Sequence, residues 1–160
     1  MTKRLQHQLT YDAPLEAVAA MLRDPEFRER VCTRQRVVSH QVEMSQDGDA
    51  ADVRVERVQA VTHIPAFAAK IVGEEITIIH REVWHDHRNG DYTVGIPDRP
   101  GHINGTVSLH EEGGRTVESV DLEISVSVPL VGGKLEGVVR DLLEKALRTE
   151  HEVGVAYLAQ

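Results

Sequence analysis

Two histidines flank an aspartate at His85-Asp86-His87, the densest local gathering of side chains able to ligate a metal or move a proton. Residues two apart on a strand project to one side, which would let both imidazoles reach one ion. A metal site needs a third ligand, and none is spaced to supply it, so the triplet reads as the polar end of a hairpin and no metal is expected. His151-Glu152 does not extend to the His-Glu-x-x-His of a zinc-protease helix, because position 155 is Val155. Gly132-Gly133-Lys134 lacks the spacing of a phosphate-binding loop. No Gly-x-Ser-x-Gly elbow occurs, and Cys32 reads as a small buried apolar residue, since nothing nearby declares itself as stabilising a thiolate.

A subtler set consists of polar residues in phase with apolar strand faces. His40 lies between Val38 and Val42, and Arg57 and Gln59 lie between Val55 and Val61. His80 and Glu82 follow Ile76 and Ile78 towards Trp84, Tyr92 leads Val94 and Ile96, and Asn104 is compatible with either face. Converging inside a cavity, such groups would orient the polar part of a ligand. A bulge or a solvated sheet end accounts for the same letters. An unpaired Arg57 would be costly to bury, so it is expected to pair with Glu82 or to reach solvent.

The elements that must carry these residues are legible from periodicity. Leu5, His7, Leu9 and Tyr11 alternate as a first strand. Asp12 offers an N-cap and Pro14 a first-turn residue for a helix to about Leu22. Asp24-Pro25 restarts the chain, with a second short helix over Phe27 to Val31. From Thr33 the period becomes 2, and a long hairpin turns at Asp47-Gly48-Asp49, its return strand running from about Ala51 to Val61. The apolar segment at 63–69 is too short for a robust helix and too apolar for an ordinary loop. Further strands are read at about Glu75 to His85, Tyr92 to Ile96, His102 to His110 and Arg115 to Val128. Arg88-Asn89-Gly90-Asp91 and Gly113-Gly114 mark the turns. Val120, Leu122, Ile124, Val126 and Val128 form the cleanest apolar face. Beyond Pro129, Leu135, Val138, Val139, Leu142, Leu143, Ala146, Val153 and Tyr157 lie at helical spacing over roughly 28 residues, on the order of 40 Å. Glu150 intrudes on this stripe, and Gly132-Gly133 near its start permits close approach to the sheet.

Composition narrows the function classes. The 160 residues suit one domain spanning 1–160, and the 41% hydrophobic content suits a soluble globular protein. A formal charge of −8 argues against a nucleic-acid partner, which requires a basic stripe. The first residues, Met1-Thr2-Lys3-Arg4-Leu5, lead into no apolar core of a secretory signal, no run is long enough to span a bilayer, and the single cysteine suits a reducing compartment, so a cytoplasmic protein is expected. With one Trp, three Tyr and two Phe, the interior must be filled mainly by aliphatic side chains. An antiparallel sheet with one apolar face needs a cover. The terminal helix is the only element large enough to provide it, and with few aromatics it is expected to leave space beneath.

The order β-αα-β6-α, together with the junction Val126-Ser127-Val128-Pro129-Leu130-Val131-Gly132-Gly133-Lys134-Leu135-Glu136, resembles the START-like (SRPBCC) superfamily of lipid-transfer domains, aromatase/cyclases and ring-hydroxylase subunits. In particular it is similar to a bacterial branch of unknown function in which a strand runs through Val-Pro-x-x-Gly-Gly-x-x-Glu into the last helix; Thr149-Glu150-His151-Glu152-Val153 also fits that branch. The resemblance covers essentially the whole chain and implies an α+β helix-grip fold. In that fold a curved antiparallel sheet of about seven strands carries two short helices after strand 1 and a long C-terminal helix on its concave face. It further implies a hydrophobic cavity between sheet and helix. The first functional expectation is a cofactor-free monomer or homodimer binding or carrying a small hydrophobic or amphipathic ligand. Val38, Val42, Val55, Ile78, Tyr92, Val94, Leu122, Ile124 and Leu142 would form walls, and Ile64–Ala69, with Phe67, a lid. The alternatives are an enzyme resembling the polyketide cyclases, moving a proton through His40, His80 or Glu82, and an interaction module resembling chaperone activators.

Overall fold

A computed structural model describes residues 2–62 and 64–160; His63, at the head of the apolar segment, lies outside them. Strand β1 (Thr2–Tyr11) is followed by helices α1 (Leu15–Leu22) and α2 (Pro25–Arg34). Then come β2 (Ser39–Asp47), β3 (Ala50–Ala60), α3 (Ala66–Val72), β4 (Glu75–Trp84), β5 (Asn89–Gly95), β6 (His102–Glu112), β7 (Arg115–Ser125) and α4 (Gly132–Leu158). The seven strands form one antiparallel sheet in the order β1-β7-β6-β5-β4-β3-β2. The chain thus folds β2 to β7 as successive hairpins, and β1 closes onto β7.

Register explains which residues meet. Leu5 lies opposite Leu122 and Leu9 opposite Glu118, while Leu122 also faces Gly105. Leu5, Leu9, Tyr11, Val107, Val120, Leu122 and Ile124 are buried on one face, and Arg4, Asp121 and Arg81 stand on the other. The 27-residue α4 packs against β1 and β7 and against α1 and α2, burying Leu147 and Val153. This is the helix-grip arrangement, with the helix lying nearer one side of the concave face than the other.

The strand-to-helix junction has a mechanical basis. Glu136 is buried, and its Oε2 accepts the backbone N–H of Val126 at 2.9 Å, tying the first turn of α4 to the end of β7. A Cβ on Gly132 would stand 2.6 Å from the Val126 carbonyl oxygen, so the approach requires glycine. The spacing of Val126, Gly132 and Glu136 is therefore that of a clamp.

Several local expectations are corrected. The apolar segment does form a helix, the seven-residue α3, closed by Gly73 at φ 87°. The N-cap of α1 is Pro14 rather than Asp12, and the Leu15 N–H is satisfied by Glu111 Oε1 at 2.6 Å, from the far end of β6. Helix α2 continues through Thr33 to Arg34, so β2 begins only at Ser39. Asn89-Gly90 belongs to β5, and the turn is made by residues 85–88, where Asp86 Oδ1 accepts the N–H groups of Arg88 and Asn89. Gly90 is needed because Trp84 lies directly across the ladder: a Cβ there would meet the indole at 3.2 Å.

Candidate functional site

Because α4 sits towards β1 and β7, the opposite part of the sheet is left partly uncovered. A cleft of about 330 Å³ opens there between the middle of α4 and strands β3 to β6. Its aliphatic wall includes Ile76, Ile78, Val94, Ile96 and Ile103 from the sheet and Val139, Leu142 and Leu143 from the helix. A void of about 80 Å³ shares Val94, Ile96, Ile103 and Val139 and extends the space towards Ile71 and Val72 of α3. At the other end a void of about 30 Å³ shares Gln35, Arg57 and Ala146 with the cleft and is closed by His80, Tyr92, Arg28 and Glu150. The hollow is thus apolar along its length and polar at one end.

The polar end rests on a buried ion network. Arg28, projecting from α2, donates through Nη1 and Nη2 to the two carboxylate oxygens of Glu82 at 3.0 and 3.1 Å. Nη1 also reaches Glu150 Oε1 of α4 at 3.1 Å, while Nε and Nη2 bond the Leu22 carbonyl. Trp84 Nε1 donates to Glu82 Oε1 at 3.0 Å. His80 Nε2 stands 2.7 Å from Glu82 Oε2 but off the alignment of a hydrogen bond, and its ring stacks on Tyr92 with centroids 4.6 Å apart.

Environment separates the carboxylates. Burial opposes the charge on Glu82, but Arg28 and then His80 outweigh it and hold the group well below the ordinary range. Glu150 is pushed up to about 7, first by burial and then by Glu82, against the pull of Arg28 and Arg57. Glu118, whose oxygens have no partner among the described residues, is also raised well above its ordinary value by burial, with Glu150 and Glu82 adding to it. His80 is lowered by burial against the pull of Glu82 and is therefore neutral at neutral pH. Burial also lowers Arg57 from its ordinary value.

The structure brings together many of the residues singled out in the sequence. Arg57, Ile78, Val94 and Leu142 line the cleft, with Leu142 at its mouth. Val55, His80 and Tyr92 line the small void with Arg57, and Glu82 lies just behind them in the network. Others go elsewhere. Val38 is 58% exposed just before β2. His40 contacts Glu29 at the surface, and Val42 packs with Met44 against a separate small cluster of Cys32, Val53 and Val55. Asn104 is exposed, opposite Thr93 and Glu123 on the outer face. Leu122 and Ile124 are fully packed in the core rather than on a wall of the hollow. Phe67 is half-buried in α3 and does not line the cleft; Ile64, Ile71 and Val72 supply that segment's contribution. Arg57 does not pair with Glu82, because Arg28 already occupies both of its oxygens.

Arg28 and Glu150 border the small void, and Glu118 is buried behind them; none of the three was singled out as a candidate in the sequence. Glu118 had a signal: it lies in phase with Val120, Leu122 and Ile124, two residues before the apolar run starts. Glu150 had one as a charge on the apolar stripe. Arg28 had none, since it sits among Glu26, Glu29 and Arg30 like any solvated helix charge. The described residues bring no three His, Cys, Asp or Glu side chains into a group able to hold a metal; His85 contacts Asp91, and His87 lies near Asp49.

Comparison with solved structures places the fold. The chain is similar to a protein from Thermus thermophilus, at 20% identity and TM-score 0.66, covering 97% of this chain and 99% of that one. It is similar to norcoclaurine synthase from Thalictrum flavum, at 13% identity and TM-score 0.63, covering 100% and 88%. A START superfamily protein from Mycobacterium smegmatis matches at 15% identity and TM-score 0.60, covering 97% and 98%. The fold is therefore START-like, as the element order and junction implied. No curated protein matches by sequence. The family model described as protein of unknown function (DUF2505) matches residues 6–158, and the chain belongs to that family.

Proposed function

We propose that the protein binds a small hydrophobic or amphipathic molecule in the cleft between α4 and strands β3 to β6. The observation that carries this reading is the cleft itself: about 330 Å³ lined mainly by Ile, Val and Leu, continuous with a second apolar void. That volume lies at the lower end of the range of small-molecule sites, about 300–1,000 Å³. An apolar ligand there removes both its own surface and that of the walls from water, at about 25 cal/mol per Å² before ordering costs. Proteins of the same fold include an aromatase/cyclase from Streptomyces and norcoclaurine synthase, which supports a ligand-accepting hollow and leaves the chemistry to the residues of each.

The test is saturable binding of Nile red, a neutral hydrophobic dye, followed by its fluorescence. Wild-type protein is expected to bind one dye per chain, and Val139→Phe, which places a ring in the middle of the hollow, to weaken binding about tenfold or more. Absence of saturable binding, or equal affinity in the variant, would overturn the proposal.

A further inference from the structure

The cleft carries one sign of charge. Among the described residues its lining includes Arg34, Arg36, Arg57 and Lys145 and no carboxylate, in a chain whose formal charge is −8; Arg34 alone of the four is paired, with Glu152 outside the lining. A low-dielectric cleft of uniform sign concentrates ions of the opposite sign. Arg34, Arg36 and Lys145 are exposed, whereas Arg57 is only 7% exposed.

Arg57 is also poorly satisfied. Among the described residues its only hydrogen bond runs from Nε to Gln59 Oε1 at 3.3 Å, and neither terminal nitrogen makes one. A guanidinium offers five N–H donors. Arg28 shows how the same fold treats a structural arginine, since its three nitrogens are bonded to Glu82, Glu150 and the Leu22 carbonyl. Beside Arg57, the Gln35 side chain has a buried oxygen without a partner and lines the same space; with its amide turned over it presents N–H instead.

Resting on the binding function proposed above, we infer that the ligand is an amphiphile with a carboxylate head, the head seated on Arg57 beside Gln35 and the tail lying along Ile78, Val94, Ile103 and Val139. A planar carboxylate takes two parallel N–H groups from one guanidinium. A doubly charged phosphate head fits less well: of the two buried arginines at the small void, Arg28 is already bonded to Glu82 and Glu150, and Glu150 itself lines that void.

The inference is tested on the full chain by displacing Nile red with decanoate, 1-decanol and decyl phosphate, which share a ten-carbon tail. Decanoate is expected to bind about tenfold or more tighter than decanol, as charge-assisted contacts exceed neutral ones, and tighter than decyl phosphate. Arg57→Gln is expected to weaken decanoate about tenfold or more and decanol far less, so that the preference for the carboxylate is lost. The wild-type ranking stands without any variant, and Arg57→Lys, keeping the charge without the planar fork, is expected to fall between the two. Decanol equal to decanoate, decyl phosphate tightest, or an unchanged preference in Arg57→Gln would overturn the carboxylate assignment with the binding function intact. A protein that takes up no dye at all would instead remove the binding function, and this inference with it.

Discussion

The space beneath α4 is built in two ways. At the end formed by β1, α1, α2 and the C-terminal half of the helix, the interior is filled by Tyr11, Phe27, Trp84 and Tyr92 and by the Arg28–Glu82–Glu150 network. At the other end, against β3 to β6, the interior wall is mainly aliphatic, and the described residues that line it include no aromatic ring. The chain has only six aromatic residues, and apart from Phe67 they gather at the filled end. Scarce bulk placed on one side leaves the other side hollow. The contrast teaches that the cavity follows from where large side chains were placed, more than from sheet curvature alone. It also divides the labour: one end fixes helix to sheet, and the other holds the hollow proposed as the ligand site.

The strongest way to break this contrast is to remove the centre of the filled end. Glu82→Ala would strip the buried Arg28 of its two-oxygen partner on β4 and leave it one contact to Glu150. Loss of one partner of a buried pair costs about 3–5 kcal/mol, and that loss is expected in urea denaturation. Arg81→Ala provides the control next to it on β4: its pair with Asp52 is half-exposed on the outer face, and about 0–1 kcal/mol is expected. Similar costs for the two variants would mean that the network does not anchor the helix.

The pH dependence of the filled end comes next. Glu150 is ionised in the unfolded chain above its ordinary value of 4.5, whereas burial holds the folded group protonated until about 7. In that window the folded state binds the extra proton, so its contribution is fully present below about 4.5 and is lost as pH rises towards 7. The slope is up to about 1.4 kcal/mol per pH unit. His80 acts in the opposite sense, since a buried neutral imidazole loses stability as pH falls below its ordinary 6.5. Measuring wild type against Glu150→Gln isolates the first effect: the stability of wild type relative to the variant should fall between pH 5 and 7. A flat or rising difference would show Glu150 already ionised in the fold.

The two ends were also unequally legible in the sequence. The alternation of Val120, Leu122 and Ile124 mapped directly onto buried positions, because burial on one face of a strand imposes a period of 2. The same rule placed Arg57, Ile78, His80, Glu82, Tyr92 and Val94 on the concave face. It could not tell which part of that face is packed and which is open: Leu122 and Ile124 follow the same pattern as Val94 yet lie under the helix. Nor could it pair charges. Arg28 meets a carboxylate 54 residues away and another 122 residues away, and no local pattern records either meeting. Edge effects misled as well, since Val38 and His40 keep the phase of the face but lie at the start of the edge strand β2, where Val38 is largely exposed and His40 meets Glu29 at the surface.

A smaller effect is expected from tightening the filled end. A Cβ on Gly154 of α4 would lie 2.7 Å from the ring of Tyr11, which is itself fully buried. Alanine improves helix propensity by about 1 kcal/mol over glycine, but overpacking a closed core costs about 1–3 kcal/mol. With Tyr11 held against the sheet, the steric cost should win. Gly154→Ala is expected to lower stability by about 1 kcal/mol, read as a shift of the urea midpoint at unchanged slope.

The smallest change should come from the much larger insertion at the open end. Val139 lies half-buried on α4 and borders both the cleft and the void towards α3. Phenylalanine and valine have similar helix propensities, so the backbone is indifferent to Val139→Phe. The added ring enters space that holds no side chain and covers Ile78, Val94 and Ile103 from water, a favourable transfer set against the entropy of fixing the ring. Stability is therefore expected to stay within about 1 kcal/mol of wild type. A loss as large as that of Gly154→Ala would mean that the aliphatic end is packed as tightly as the aromatic one. The division between anchor and vessel would then fail at the point where ligand binding depends on it.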